Sequence, residues 1–361
     1  MNNKNTPPSR QSNFEALRLL CMLMVLNLHS FWGYSHGEGI SQALDFYRES
    51  TSICAVDCFI LISGYFGIKW KFKSFFNLVF QLFFYSIGIY LVVTRLGIVD
   101  WDLKEFIKRF ACLIRNSWGF AINYVLLWFC APPLNALAEK LNDRELFFYI
   151  LIFFFMLNFI SVPDNALFTY ALVYLIGRLL RKMKVEEVYF PSGKAFWVTT
   201  TLIFVLVYFL IFKVLHITDA EKVCGWPIGF IGYDYKAPLV ILQSVFLFMF
   251  FSRLKFQSKF INWCAASCFA IFLIHMHPTI KQIGYYAFTE SLYAYPVWKH
   301  ILLLSGLITG VFFASIFIDK VRLIISNCCY LMIEKIACLI PKRCCKLETF
   351  MPRFAATLDS K

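Results

Sequence analysis

The stretch LRLLCMLMVLNLH, residues 17–29, sets Arg18 and His29 eleven positions apart in a run with no other charge. A helix turns about 100° per residue, so eleven residues make close to three turns, and the two side chains fall within about 20° of one face, about 16 Å apart along the axis. Arginine presents a planar fork of donors that matches oxyanions, phosphate above all. Histidine, with an unperturbed pKa near 6.5, accepts a proton at neutral pH. Ionisable groups inside an apolar span are costly and by default face the interior of a bundle. The pair therefore predicts an anion anchor and a proton acceptor looking down one groove. For either residue alone, a structural role competes: a snorkelling anchor for Arg18, and a carbonyl-bonded histidine at the interface for His29.

The elements that must position this pair are written in the composition. Of 361 residues, 60% are hydrophobic and only 16% charged, outside the range of soluble domains. Apolar runs near the length needed to cross about 30 Å of hydrocarbon recur along the chain. They predict an all-α, polytopic membrane bundle of about ten helices, near residues 14–35, 50–68, 75–97, 119–138, 145–161, 166–180, 195–215, 237–252, 260–281 and 298–318. The net charge of +13 is spread through short clusters between these runs, which points to anionic lipid and away from nucleic acid. Lys and Arg concentrate in KWKFK (69–73), GRLLRKMK (177–184), RLKFQSK (253–259) and the tail after Asp319, so the positive-inside bias puts both termini in the cytoplasm. One basic segment, 99–118, falls on the other side. Leu103, Phe106, Ile107 and Phe110 recur there at helical spacing, predicting a helix lying in the interface. Three parts follow: a polar segment 1–13, a membrane domain 14–320 and a basic tail 321–361. Thirteen cysteines sit mostly in apolar runs without paired metal spacing and read as buried free thiols, with no metal site expected.

Five blocks in order carry a family pattern: NFEALRLLCMLMVLNLH; AVDCFILISGYFGIKWKFKSFF; NYVLLWFCAPPLN; FTYALVYLIGRLLRK; and FINWCAASCFAIFLIHMHP. Together they resemble acyltransferase family 3, the bacterial integral-membrane O-acyltransferases of cell-surface and exported sugars, from about residue 13 to residue 320. The R-x10-H spacing of Arg18 and His29 matches that family's first-span signature. The SGY block with Asp57, Ser63, Gly64 and Tyr65 is similar to its second span, and His275 to the histidine of its YLIH helix.

The resemblance implies an acyl-CoA donor, most simply acetyl-CoA, arriving from the cytoplasm, a sugar or polysaccharide hydroxyl as acceptor, no permanently bound cofactor, and a bacterial cytoplasmic membrane. Arg18 would anchor CoA phosphates, with Lys69, Lys71 and Lys73 helping to collect them or anchoring topology. The pantetheine arm is about as long as the Arg18 to His29 separation, so the thioester would lie beside an imidazole acting as general base, or as a transient acyl carrier. Asp57 is expected to orient His29 or to pair with Arg18, since an unpaired carboxylate in a span is expensive. Ser63, Gly64 and Tyr65 are expected at the donor site, with packing as the competing role: Gly64 permits close helix approach and Ser63 can satisfy freed backbone. His275, Trp118 and Tyr124 are expected on the acceptor side, with Trp118, Tyr124 and Trp128 near the outer end of the fourth span. The competing reading is a carrier or flippase for a glycan precursor, weakened by the lack of paired broken helices in two matching halves.

Overall fold

The computed structural model describes residues 11–31, 40–112, 118–160, 166–187 and 234–339, with positions 202 and 206. Among these residues every regular element is helical and none is a strand. The span expected at 195–215 and the tail beyond Leu339 lie outside the described residues.

The first helix, α1 (Ser12–His29), occupies the centre of the bundle. It packs against α2 (Ile40–Ser52), α3 (Ala55–Phe66), α9 (Pro238–Ser252), α10 (Lys259–Ala265), α11 (Cys268–His275) and α13 (Val297–Leu339). Its start is pinned to the end of α9 and the segment before α10 by buried polar side chains, which need partners away from water. Buried Ser12 accepts the Ser258 N–H at 2.9 Å, and Asn13 Nδ2 donates to the Phe251 carbonyl at 3.0 Å.

Around α1 run α4 (Phe72–Arg95), the short α5 (Leu103–Phe110), α6 (Gly119–Lys140), α7 (Asp143–Phe159) and α8 (Ala166–Lys182). Among the described residues, four stretches are long and apolar enough to cross a membrane alone: Tyr47–Phe66, Phe72–Arg95, Gly119–Lys140 and Val297–Ile333. The protein is thus a helical membrane protein. At about 1.5 Å per residue, the 43 residues of α13 extend about 65 Å, roughly twice the hydrocarbon thickness. This helix continues through position 320, where the sequence places the start of the tail.

Two glycines set the closest helix crossing. A Cβ on Gly64 of α3 would lie 2.2 Å from the Tyr174 carbonyl oxygen of α8, and one on Gly177 would lie 2.6 Å from the Leu61 carbonyl oxygen. Only hydrogen fits at both positions, so these backbones touch as small-residue interfaces in membranes do.

The proline pair of α6 does a second job. Pro132 has no N–H, which frees the Trp128 carbonyl four residues earlier; Trp70 Nε1 donates to it at 2.8 Å and the two indoles stack at 5.2 Å. Asn135, just beyond the prolines, closes a ring of hydrogen bonds. Its Nδ2 donates to the Ile68 carbonyl at 3.0 Å, the Ile68 N–H donates to the Tyr174 hydroxyl at 2.8 Å, and that hydroxyl donates to Asn135 Oδ1 at 2.8 Å. The α3–α4 linker is thereby clasped to α6 and α8.

Two local results depart from the sequence reading, and one follows it. The segment 40–52, read as part of a loop, forms α2. The ninth span is two helices interrupted at Ala266–Ser267 and ending at His275, followed by a π-helical turn, Lys281–Tyr286, and α12 (Ala287–Ser291). The amphipathic segment is helical as α5, capped by Asp102 accepting the Lys104 N–H at 2.7 Å, with Leu103, Ile107 and Phe110 exposed.

Candidate active site

His29 is the last residue of α1 and is buried, with 5% of its surface exposed. Its Nδ1 lies 2.9 Å from Nε2 of His275, the last residue of α11, itself 3% exposed. The Nδ1 of His275 lies 2.6 Å from the Ile271 carbonyl oxygen one turn earlier. A carbonyl only accepts, so His275 Nδ1 carries the proton, and the neutral ring's Nε2 is then an acceptor. His29 Nδ1 must therefore donate. The lone pair of His29 is left on Nε2, the tautomer a general base needs.

The end of α1 is fixed from α2. Buried Arg48 pairs with Asp45 at 2.8 Å, donates through Nε to Asn27 Oδ1 at 2.9 Å, and contacts the Ser30 hydroxyl beside His29. Tyr293 donates to the second oxygen of Asp45 at 2.7 Å. Tyr285 donates to the Leu26 carbonyl at 2.7 Å and sets its ring 5.4 Å from that of His275. A cation at a helix C-terminus also meets the negative end of the helix dipole.

Two cavities open along α1. One, of about 530 Å³, is bordered by Arg18, Ser63, Ser74, Asn77, Gln81 and Tyr124 among others. The second, of about 290 Å³, is bordered by His29, Asn123, Tyr170, Tyr235 and mostly apolar residues. Met22, Phe59 and Phe120 line both. The arginine and the histidine thus face neighbouring spaces with Met22, Phe59 and Phe120 between them, on the one face that eleven residues of helix give them.

The remaining sequence candidates fall in distinct places. Arg18 pairs with Glu15 at 2.8 Å, so Asp57 is not its partner. Asp57 is fully buried, and among the described residues neither of its oxygens has a hydrogen-bond partner, His29 and Arg18 included. Ser63 donates to the Phe59 carbonyl at 2.9 Å and lies 3.2 Å from the Tyr124 hydroxyl. Gly64 serves the α3–α8 crossing. Tyr65 turns away to Glu186 at 2.6 Å and Arg181 at 3.0 Å, beside a separate cavity of about 450 Å³. Lys69, Lys71 and Lys73 are exposed in the stretch just before Ser74, which borders the Arg18 cavity; none of the three lines it, and Lys73 stands over the Tyr330 ring at 4.8 Å.

The aromatic residues of α6 do not share one end. Trp118 is buried against the ring of His277 at 5.7 Å, but Tyr124 borders the Arg18 cavity and Trp128 stacks on Trp70 of the α3–α4 linker. The reason is length: ten residues of helix carry Trp128 about 15 Å from Trp118. His275 borders neither cavity itself and contacts His29, which borders the second. The cysteines expected as buried thiols include Cys21, Cys54, Cys58 and Cys268, all buried and in no disulfide.

The described residues are thus those of a helical membrane protein with an arginine-bordered cavity beside a histidine-bordered one. The chain belongs to the acyltransferase domain family, acyltransferase family 3, whose model matches residues 11–319. It is a membrane acyltransferase. No curated protein and no solved structure gives a significant match.

Proposed function

We propose that this protein is an O-acyltransferase that moves an acyl group, most simply acetyl, from cytoplasmic acyl-CoA to a hydroxyl of a cell-surface or exported sugar. In this reading it lies in a bacterial cytoplasmic membrane with about ten crossings and both termini inside, so that Arg18 faces the donor compartment. The observation that carries the proposal is the chain from His29 through His275 to the Ile271 carbonyl, on a histidine whose cavity adjoins that of Arg18.

The chemistry follows from that chain. Arg18, with Lys69, Lys71 and Lys73 in the stretch before Ser74, holds the phosphates of CoA by charge-assisted hydrogen bonds. The thioester reaches past Met22, Phe59 and Phe120 toward His29. His29 Nε2 takes the proton of the acceptor hydroxyl as its oxygen bonds to the thioester carbon; the C–S bond breaks, and the proton passes to the leaving thiolate. His275 stabilises the imidazolium formed on the way. Asn123, Tyr170 and Tyr235 supply polar groups beside His29 for the acceptor, and the aromatic walls suit the apolar faces of a sugar ring.

Purified protein given labelled acetyl-CoA and mixed sugar acceptors releases free CoA and forms a labelled ester. His29→Ala, inserted and folded, forms none. A protein that moves a glycan across vesicles without releasing CoA is a carrier, and the enzymatic reading fails.

A further inference from the structure

We infer that Arg322 is a second phosphate-binding cation of the donor cavity, held in place by Asp319 and Tyr85. The inference rests on the acyl-CoA reading above and extends it to a residue that lies past the family match, on α13.

Arg322 is 3% exposed, yet it borders the same cavity as Arg18. Among the described residues lining that cavity are these two guanidinium groups and no carboxylate. The acids stand behind the cations: Glu15 on Arg18, and Asp319 on Arg322. Asp319 is fully buried and takes two bonds, from Nε at 2.5 Å and from Nη2 at 3.2 Å. Its Oδ1 also accepts from the Tyr85 hydroxyl at 2.7 Å and lies 3.5 Å from Gln81 Nε2. The guanidinium is thus fixed along one edge, and neither bond uses Nη1. A buried ion pair is seldom justified by stability, since apolar residues of similar volume often serve as well. A fixed cation bordering a cavity free of acids is a pre-organised oxyanion site. CoA carries a diphosphate and a 3′-phosphate, more anionic groups than Arg18 alone can match.

The test compares acetyl-CoA with acetyl-pantetheine, which has the same thioester and no phosphate, by thiol release in phosphatidylcholine nanodiscs with and without phosphatidylglycerol. Two variants are used: Arg322→Gln, and Arg322→Gln with Asp319→Asn, which removes both charges and leaves no unpaired acid. Both are expected to raise KM for acetyl-CoA by about tenfold or more and to leave KM for acetyl-pantetheine unchanged. Recovery of KM in the double variant means that Arg322 merely neutralises Asp319 and overturns the inference. So does an equal loss on both donors, no loss on either, or an effect confined to the anionic lipid, which assigns the site to a headgroup. Wild-type protein that releases thiol from neither donor removes the acyl-CoA reading itself.

Discussion

His275→Ala isolates the histidine pair. The 2.9 Å contact joins two rings that are 5% and 3% exposed, so water does not replace the lost acceptor. A buried N–H deprived of its partner costs about 1–3 kcal/mol, and if that energy is what holds His29 in its tautomer and orientation, kcat falls by about 5- to 150-fold. KM for the donor stays put, because His275 does not border the Arg18 cavity. His275→Gln, whose amide oxygen accepts from His29 Nδ1, recovers part of the rate. The assay is thiol release at saturating acetyl-CoA on protein whose thermal unfolding matches wild type. If His275 works through His29, the double variant His29→Ala with His275→Ala is no slower than His29→Ala alone. A His275→Ala enzyme within twofold of wild type, or one that slows the His29→Ala background as much as it slows wild type, refutes the reasoning.

Arg18→Gln should raise KM for acetyl-CoA far more than it lowers kcat, read from the same assay, since the residue sits at the opposite end of the paired cavities from His29. Gly64→Ala places a methyl 2.2 Å from the Tyr174 carbonyl oxygen; overpacking of about 1–3 kcal/mol should appear as a lower unfolding temperature in detergent. Trp70→Phe keeps the ring stack on Trp128 but leaves the proline-freed carbonyl without its donor, at about 1–3 kcal/mol, so stability should drop while KM is unaltered. Arg48→Ala strands the buried Asp45 carboxylate and should destabilise by about 3–5 kcal/mol; in the folded fraction kcat should fall too, because Arg48 holds the end of α1 beside His29.

Arg18 and His29 were legible because their relation is local: helix geometry alone puts them on one face, and the adjoining cavities follow that face. The close crossing at Gly64 was legible for the same reason, since glycine in an apolar run has few other uses. His275 was visible as a residue but not as a partner, because 246 positions separate it from His29 and nothing in a single sequence reports that distance in space. Charge misled in two places. Arg48 and Asp45 fall between the spans 14–35 and 50–68, where charge is ordinary, yet they neutralise each other inside α2. Arg322 read as the start of a basic tail, because the positive-inside rule counts cations without asking whether one turns inward on a helix that keeps going. Trp118, Tyr124 and Trp128 were grouped as one set, yet ten residues of helix spread them over about 15 Å and give each a different neighbour.

The proton register of the two imidazoles ends on the backbone of position 271. No change of side chain there can delete that acceptor, since every amino acid brings the same carbonyl. Mutational damage to the relay must therefore come through the rings themselves, or through a residue such as proline that unwinds the turn between 271 and 275. The chemistry borrows its constancy from the peptide chain, and position 271 is left open to vary for packing alone.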